Sequence, residues 1–272
     1  MTHEEYTINV EGSLKGAKLV TYIKDPSEKF RSNVHPLILI CPGGGYGYTS
    51  DREAEPMAFA FLAMGYHAAV LRYSCAPAEY PTQLLELAQS VALVKDYADE
   101  WGVSQIVVIG FSAGAHVAAS LGTSWNDIML ADKLKRDNQD FKVDGMMLCY
   151  PVITSGEFAH RGSFNNLLGS RANDPEWLDK VSIEKHITSD MPECFVWHTY
   201  TDKSVPCENS LMLVSALRRA GVPCEYHLYP VGEHGLGLAN ITTAMADEKS
   251  IQPECQGWIE LARTWLEKRF PQ

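Results

Sequence analysis

Short, mainly apolar runs recur along the chain: Leu37 to Cys41, which is continuous, then His67 to Tyr73, Val107 to Ile109, Gly145 to Tyr150 and Cys194 to His198. Runs of this length predict strands buried on both faces. Between them the period changes. Leu84, Leu87, Ala88, Val91 and Ala98 fall at helical spacing, as does Ser210 to Ala220. Trp258, Leu261, Ala262, Trp265 and Leu266 share one face of a C-terminal helix. Ser50 with Glu53 three residues on reads as a capping box opening another helix. Tyr6 to Val10 and Lys18 to Lys24 alternate apolar and polar residues, as a half-exposed antiparallel pair does, and Cys224 to Tyr229 gives a last strand.

Two stretches break the pattern. Thr123 to Phe141 is polar and reads as a partly helical excursion. From Val152 to Pro192 periodicity weakens, with helical hints around Trp177 to Lys180. Long irregular segments inside compact domains are usually functional, so this one is expected to be a cap or substrate wall. Strands alternating with helices predict a mostly parallel sheet covered by helices on both faces, entered by an antiparallel pair. The expectation is one α/β domain over residues 1–272, with a cap insertion at about 152–192.

One of the buried strands runs into Gly110-Phe111-Ser112-Ala113-Gly114 and then into an Ala-rich helix. Strand, Gly-x-Ser-x-Gly and helix in that order make a nucleophile elbow, a sharp turn that lifts a serine hydroxyl off the sheet edge. A serine hydroxyl needs an adjacent base, and the base an orienter. In open α/β sheets such groups lie beyond the carboxyl ends of strands. Asp202 follows the strand ending near Thr199, and His234 follows the strand ending near Tyr229. The order Ser…Asp…His is that of α/β hydrolases. Competing residues sit less well. His116 lies one turn into the elbow helix, His198 and His227 lie inside strands, and Asp190 precedes its strand. Glu233 adjoins His234, where facing it is difficult, and His160 and His186 fall in the irregular segment, within reach of a substrate.

After the strand Leu37 to Cys41 comes Pro42-Gly43-Gly44-Gly45-Tyr46-Gly47. Phosphate binding is one reading, but the G-x-G-x-x-G spacing fails and no P-loop lysine follows. The favoured reading, conditional on Ser112, is a loop whose backbone N–H groups hold an oxyanion.

Composition narrows the partners. The net charge of −11 argues against nucleic acid and anionic membranes, which reward clustered Lys and Arg. No signal-peptide pattern opens the chain and no run reaches the length of a membrane span, so a cytoplasmic location is expected. Seven cysteines, several inside apparent strands, fit buried free thiols better than a disulfide framework. No Cys-x-x-Cys or His-Glu-x-x-His spacing occurs, so neither metal nor cofactor is expected.

Together, Cys41-Pro-Gly-Gly-Gly-Tyr, Ser50-Asp-Arg-Glu-Ala-Glu-Pro, Tyr73-Ser-Cys-Ala-Pro, Gly110-Phe-Ser-Ala-Gly-Ala-His and Glu233-His-Gly-Leu-Gly-Leu carry a resemblance. From about Leu37 to the C-terminus the chain resembles α/β-hydrolase esterases acting on acetylated sugars, the acetylesterase and acetyl-xylan-esterase-like "sugar hydrolase" proteins. The resemblance implies an α/β-hydrolase fold with Ser112 as nucleophile, His234 as base and Asp202 as orienter. It also implies an oxyanion hole from Ala113 with Gly44 or Gly45. Pro42 stands where many esterases have a histidine, and Ala115 where a second glycine is frequent. The expected activity is a cofactor-free serine carboxylesterase releasing acetate from acetylated sugars or oligosaccharides. The alternatives are amide or peptide hydrolysis by the same triad, as in formamidases and oligopeptidase-like relatives, and a catalytically silent ligand-binding protein on the hydrolase fold. Tyr46, Tyr48 and Arg52 on one side, and Phe158 and Phe164 with Trp177 on the other, are expected as substrate walls. Oligomeric state is not legible.

Overall fold

The computed structural model describes residues 1–246 and 248–271. Among them, β1 (Thr2–Thr7), β2 (Lys18–Ile23), β3 (His35–Cys41), β4 (His67–Arg72), β5 (Val103–Phe111), β6 (Gly145–Cys149), β7 (Glu193–Thr199) and β8 (Cys224–Tyr229) form one sheet. Their spatial order is β1-β2-β4-β3-β5-β6-β7-β8. The pairs β1/β2 and β2/β4 are antiparallel, and every later pair is parallel. The expected mostly parallel sheet with an antiparallel entry is therefore present. β1 begins earlier than its alternation predicts. Thr2–Thr7 is almost wholly exposed, so pairing with β2 rather than burial makes it a strand.

Helices α1 (Glu55–Ala63), α2 (Thr82–Asp96), α3 (Ala98–Trp101), α4 (Ala113–Ser124), α5 (Ile128–Leu134), α6 (Arg161–Leu168), α7 (Pro175–Lys180), α8 (Glu208–Ala220) and α9 (Trp258–Arg269) complete the described fold. Alternate side chains of the central strands feed two cores. Ile38, Ile40, Val107, Ile109 and Phe195 meet α1 and α9 through Met57, Phe61, Trp258 and Trp265. Leu37, Leu39, Val108, Leu148 and Val196 meet α2, α4 and α8 through Val91, Val117, Leu121, Leu213 and Leu217. Each such side chain contributes roughly 1.5–3 kcal/mol when fully buried, so the strands are held from both faces.

Register then lines up the strand ends. Cys41 pairs with Gly110, Phe111 with Cys149, and Cys149 with Trp197, so the loops that follow open along one edge of the sheet. The excursion between β6 and β7 contains α6 and α7 joined by short 3-10 turns. It docks on the body through Asn209 of α8, whose Nδ2 donates to Phe158 O at 2.9 Å and whose Oδ1 accepts from Ile153 N–H at 2.9 Å.

The capping box at Ser50 does not form. The Ser50 side chain makes no cap bond, its N–H donates to Gly43 O at 2.9 Å, and the Glu53 carboxylate turns into the protein instead. A 3-10 turn, Asp51–Glu53, takes the place of the expected first helical turn.

Candidate functional site

Ser112 stands between β5 and α4 with φ +53° and ψ −117°. A non-glycine residue there carries about 1–3 kcal/mol of strain, which the flanking structure must hold. Its N–H donates to Cys149 O at 3.0 Å, and its carbonyl accepts from Val152, Ala115 and His116. A Cβ on Gly114 would lie 2.1 Å from Cys41 O, so a side chain there would force the elbow off β3. That close approach is the physical reason for Gly114 in Gly-x-Ser-x-Gly.

The structure brings Ser112, His234 and Asp202 together. Ser112 Oγ is 2.7 Å from His234 Nε2, and His234 Nδ1 is 2.6 Å from Asp202 Oδ2. Asp202 Oδ1 accepts from the N–H groups of Ser204 and Val205 at 2.9 and 3.0 Å. The loops bearing Asp202 and His234 are tied to each other. Gly232 O accepts from Thr199 Oγ1 and Thr201 Oγ1, and Gly232 N–H donates back to Thr201 Oγ1. The rejected competitors lie elsewhere: Glu233 and Asp190 are exposed, with Asp190 bonded to Trp125 and Asn126.

A second histidine meets the same carboxylate. His198, fully buried, places Nε2 3.2 Å from Asp202 Oδ2 and 3.0 Å from Val205 O. A carbonyl only accepts, so Nε2 carries a proton, and Nδ1 is held by Ser210 Oγ at 2.7 Å. Burial alone would raise the Asp202 carboxyl. Hydrogen bonds from His198 and His234 outweigh it and hold the group well below the usual carboxylate range.

The glycine loop faces Ser112. The N–H groups of Gly44 and Gly45 have no acceptor among the described residues, and Ala113 N–H is the free first donor of α4. Gly44 sits at φ +128°, where a Cβ would meet Tyr48 O at 2.0 Å. The loop is anchored from beneath by Glu53, which is 3 % exposed. Its Oε2 accepts from Gly43 N–H at 2.9 Å and its Oε1 from Tyr150 Oη–H at 2.7 Å. Tyr150 Oη in turn accepts from Gly237 N–H at 3.0 Å, and its ring packs edge-on against His234 at 5.2 Å. One buried carboxylate thus links the glycine loop to the loop of His234.

The cleft above these groups encloses about 460 Å³. Its walls include Gly44, Gly45, Tyr48, Arg52, Glu53, Ser112, His160, Asn166, Ser204 and His234. Tyr48 and Arg52 therefore lie where a substrate wall was expected. Arg52 Nε donates to Thr243 O at 2.6 Å, and its Nη2 has no partner among the described residues.

Tyr46 and Phe164 do not line the cleft. Tyr46 is 1 % exposed, with Oη 2.7 Å from His116 Nδ1, and Phe164 packs edge-on against the same imidazole. His116 Nε2 donates to Val181 O at 2.8 Å, and burial pushes the imidazole down to about 4. Phe158 is half-buried and outside the cleft walls, while Trp177 stacks under the Arg171 guanidinium at 4.0 Å. Phe164 packs on His116 and Trp177 on Tyr80, so these two rings fasten the excursion to the body, while Tyr48 and Met245 stand among the polar groups of the cleft wall.

Sequence reasoning missed Glu53, Tyr150 and His198. The available signals were a carboxylate ten residues from a glycine cluster, a tyrosine at the end of a buried strand, and a histidine four residues before the candidate acid.

The BD-FAE family model matches residues 23–217. The acetylxylan esterase of Xylanibacter ruminicola is 26% identical over 245 residues, covering 87% of this chain and 47% of that protein. Among solved structures, the acetyl ester-xyloside bifunctional hydrolase of Caldicellulosiruptor lactoaceticus is 36% identical with TM-score 0.79, over 93% of this chain and 88% of that one. The carboxylesterase Cest-2923 of Lactobacillus plantarum is 30% identical with TM-score 0.85, over 98% of both chains. The chain spans between a third and about half of the length of the curated relatives it matches. With the family model covering more than half of its residues, and the sheet order and strand-end loops described above, the chain belongs to the BD-FAE family of α/β hydrolases.

Proposed function

We propose that this chain is a serine carboxylesterase that deacetylates acetylated sugars or oligosaccharides. The observation that carries the reading is the unbroken relay Ser112–His234–Asp202 facing the free N–H groups of Gly44, Gly45 and Ala113. Ser112 Oγ attacks the ester carbonyl while its proton passes to His234 Nε2. The carbonyl π electrons move onto oxygen, where the glycine-loop and Ala113 amides hold the negative charge, a term worth about 3–4 kcal/mol per donor. The electrons return, the bond to the alcohol oxygen breaks, and His234 gives that oxygen its proton. Water then repeats the sequence on the acyl-Ser112 ester and releases the acid. Asp202 keeps the His234 proton on Nδ1, so Nε2 is free to accept.

The choice of acyl and alcohol parts rests on the walls and on relatives. Glycines, Arg52, Asn166, Ser204 and His160 supply hydrogen bonds around the cleft, which suits a sugar better than a long acyl tail. Relatives bearing the names acetylxylan esterase and acetyl ester-xyloside hydrolase support the same choice. On this reading the excursion at about 152–192 caps the cleft.

The test is acetate release from a panel of acetylated sugars, beside p-nitrophenyl esters of increasing chain length. Turnover should fall steeply from acetyl through butyryl to octanoyl. Preference for octanoyl esters would overturn the sugar assignment.

A further inference from the structure

His160 caps α6, and its two ring nitrogens have different surroundings. Nδ1 lies 2.8 Å from Ser163 Oγ and 3.3 Å from the Ser163 N–H, a donor that it shares with the His160 carbonyl at 3.0 Å. A backbone N–H only donates, so the Nδ1 lone pair is engaged and the ring proton sits on Nε2. That N–H has no acceptor among the described residues.

The imidazole is part of the wall of the cleft that Ser112 and His234 also line. A Cβ on Gly45 would lie 3.7 Å from His160 Cε1, and Asn166 Nδ2, on the same helix, donates to Gly45 O at 2.9 Å. Gly162, also in the wall, lies beside the same ring edge: a Cβ there would lie 3.4 Å from Cε1 and 3.8 Å from Nε2, in ordinary contact. Burial first, and the nearby His234 second, push the imidazole below its ordinary value, which leaves a neutral donor.

We infer that His160 Nε2–H is a substrate-binding donor, which recognises a sugar hydroxyl or ring oxygen next to the scissile ester. The inference rests on the sugar-ester reading above and assigns to one atom the recognition of the alcohol half.

Separating recognition from capping needs two variants. His160→Asn places Oδ1 where Nδ1 stands, so it keeps the cap, while its Nδ2–H stops short of the position of Nε2. His160→Gln carries an amide N–H at about the reach of Nε2 and gives up the cap. The probes are a monoacetylated xyloside with a free hydroxyl beside the ester, and p-nitrophenyl acetate, which has no such hydroxyl. H160N should keep the wild-type Tm, and its kcat/KM should fall roughly tenfold further on the xyloside than on p-nitrophenyl acetate, mostly through KM. H160Q should melt lower yet recover part of the xyloside activity. H160N matching wild type on both probes, or falling equally on both, overturns the inference. Wild-type protein that hydrolyses p-nitrophenyl acetate and leaves the xyloside intact overturns the substrate reading, and the inference with it.

Discussion

On the sheet side of the cleft, Ser112, Asp202 and His234 follow β5, β7 and β8 within a few residues, and every polar atom of their relay has a partner. On the excursion side, α6 brings His160 with an N–H that no described protein group accepts. On the proposed function, the difference separates two tasks. Groups that move protons gain from being fixed before substrate arrives, because no reorganisation is then needed at the moment of reaction. Groups that recognise a substrate must keep capacity for it, so their hydrogen bonds stay incomplete until it binds.

If that division holds, the largest losses of rate come from the sheet side. Ser112→Ala and His234→Ala should each lower kcat on p-nitrophenyl acetate by roughly 10⁴-fold or more, and the double variant should lose little beyond either single one. Asp202→Asn should cost roughly 10⁴-fold by favouring the wrong His234 tautomer. Steady-state kinetics on the three variants checks this, and near-normal turnover by Asp202→Asn would remove Asp202 from the relay.

Glu53 comes next, because it joins the two loops of the sheet side. Both oxygens act as acceptors, from Gly43 N–H and Tyr150 Oη–H. Glu53→Met removes both acceptors and leaves Gly43 N–H and Tyr150 Oη–H without them. Displacing the glycine loop by even 1 Å is worth on the order of 10²-fold in rate. The expected result is a fall in kcat of that size with KM little changed. A lower Tm with unaltered kcat would reduce Glu53 to a structural anchor.

His198 should matter less, since Asp202 keeps its bonds to Ser204, Val205 and His234 without it. His198→Phe is expected to cost about tenfold in kcat, by loosening the carboxylate that orients His234. His198→Gln, which retains an N–H for Asp202, should recover most of that loss. Equal kcat in both variants would show that the second histidine only fills space.

The two walls also differ in how far the sequence discloses them. Leu37–Cys41 and Val107–Ile109 read as strands because unbroken apolar runs admit few other fates, and short loops then carry Ser112, Asp202 and His234 to one edge. Tyr46 was misplaced for a local reason. At φ +61° the backbone turns its side chain under the glycine loop towards His116, and residue type does not report that. Glu53 fitted a helix-cap pattern, yet a buried tyrosine 97 residues away claims its carboxylate. Aromatic rings suit sugars and packing equally, so residue type alone does not place Phe158, Phe164 and Trp177, and the path of the excursion decides.

The smallest effect concerns stability behind the cleft, where His116 contrasts with His160. Both lone-pair nitrogens are engaged, but His116 has no access to water or substrate, and burial pushes it down from 6.5 to about 4. Between those values the unfolded chain binds a proton that the folded chain does not. The contribution is therefore complete above about 6.5 and is lost as pH falls towards 4, by about 3 kcal/mol at most. Asp202 adds a loss of the same sign further down: its folded carboxyl lies below the ordinary 3.8, so that stabilisation disappears only under about pH 4. Urea unfolding at about pH 7.5 and about pH 4.5 isolates the histidine window. His116→Gln, which retains polar atoms for Tyr46 and Val181, should start less stable at the higher pH and lose less on acidification than the wild type. Equal losses in the two proteins would mean that His116 is already protonated in the folded state, and the neutral hydrogen-bonded imidazole beneath the glycine loop would have to be abandoned.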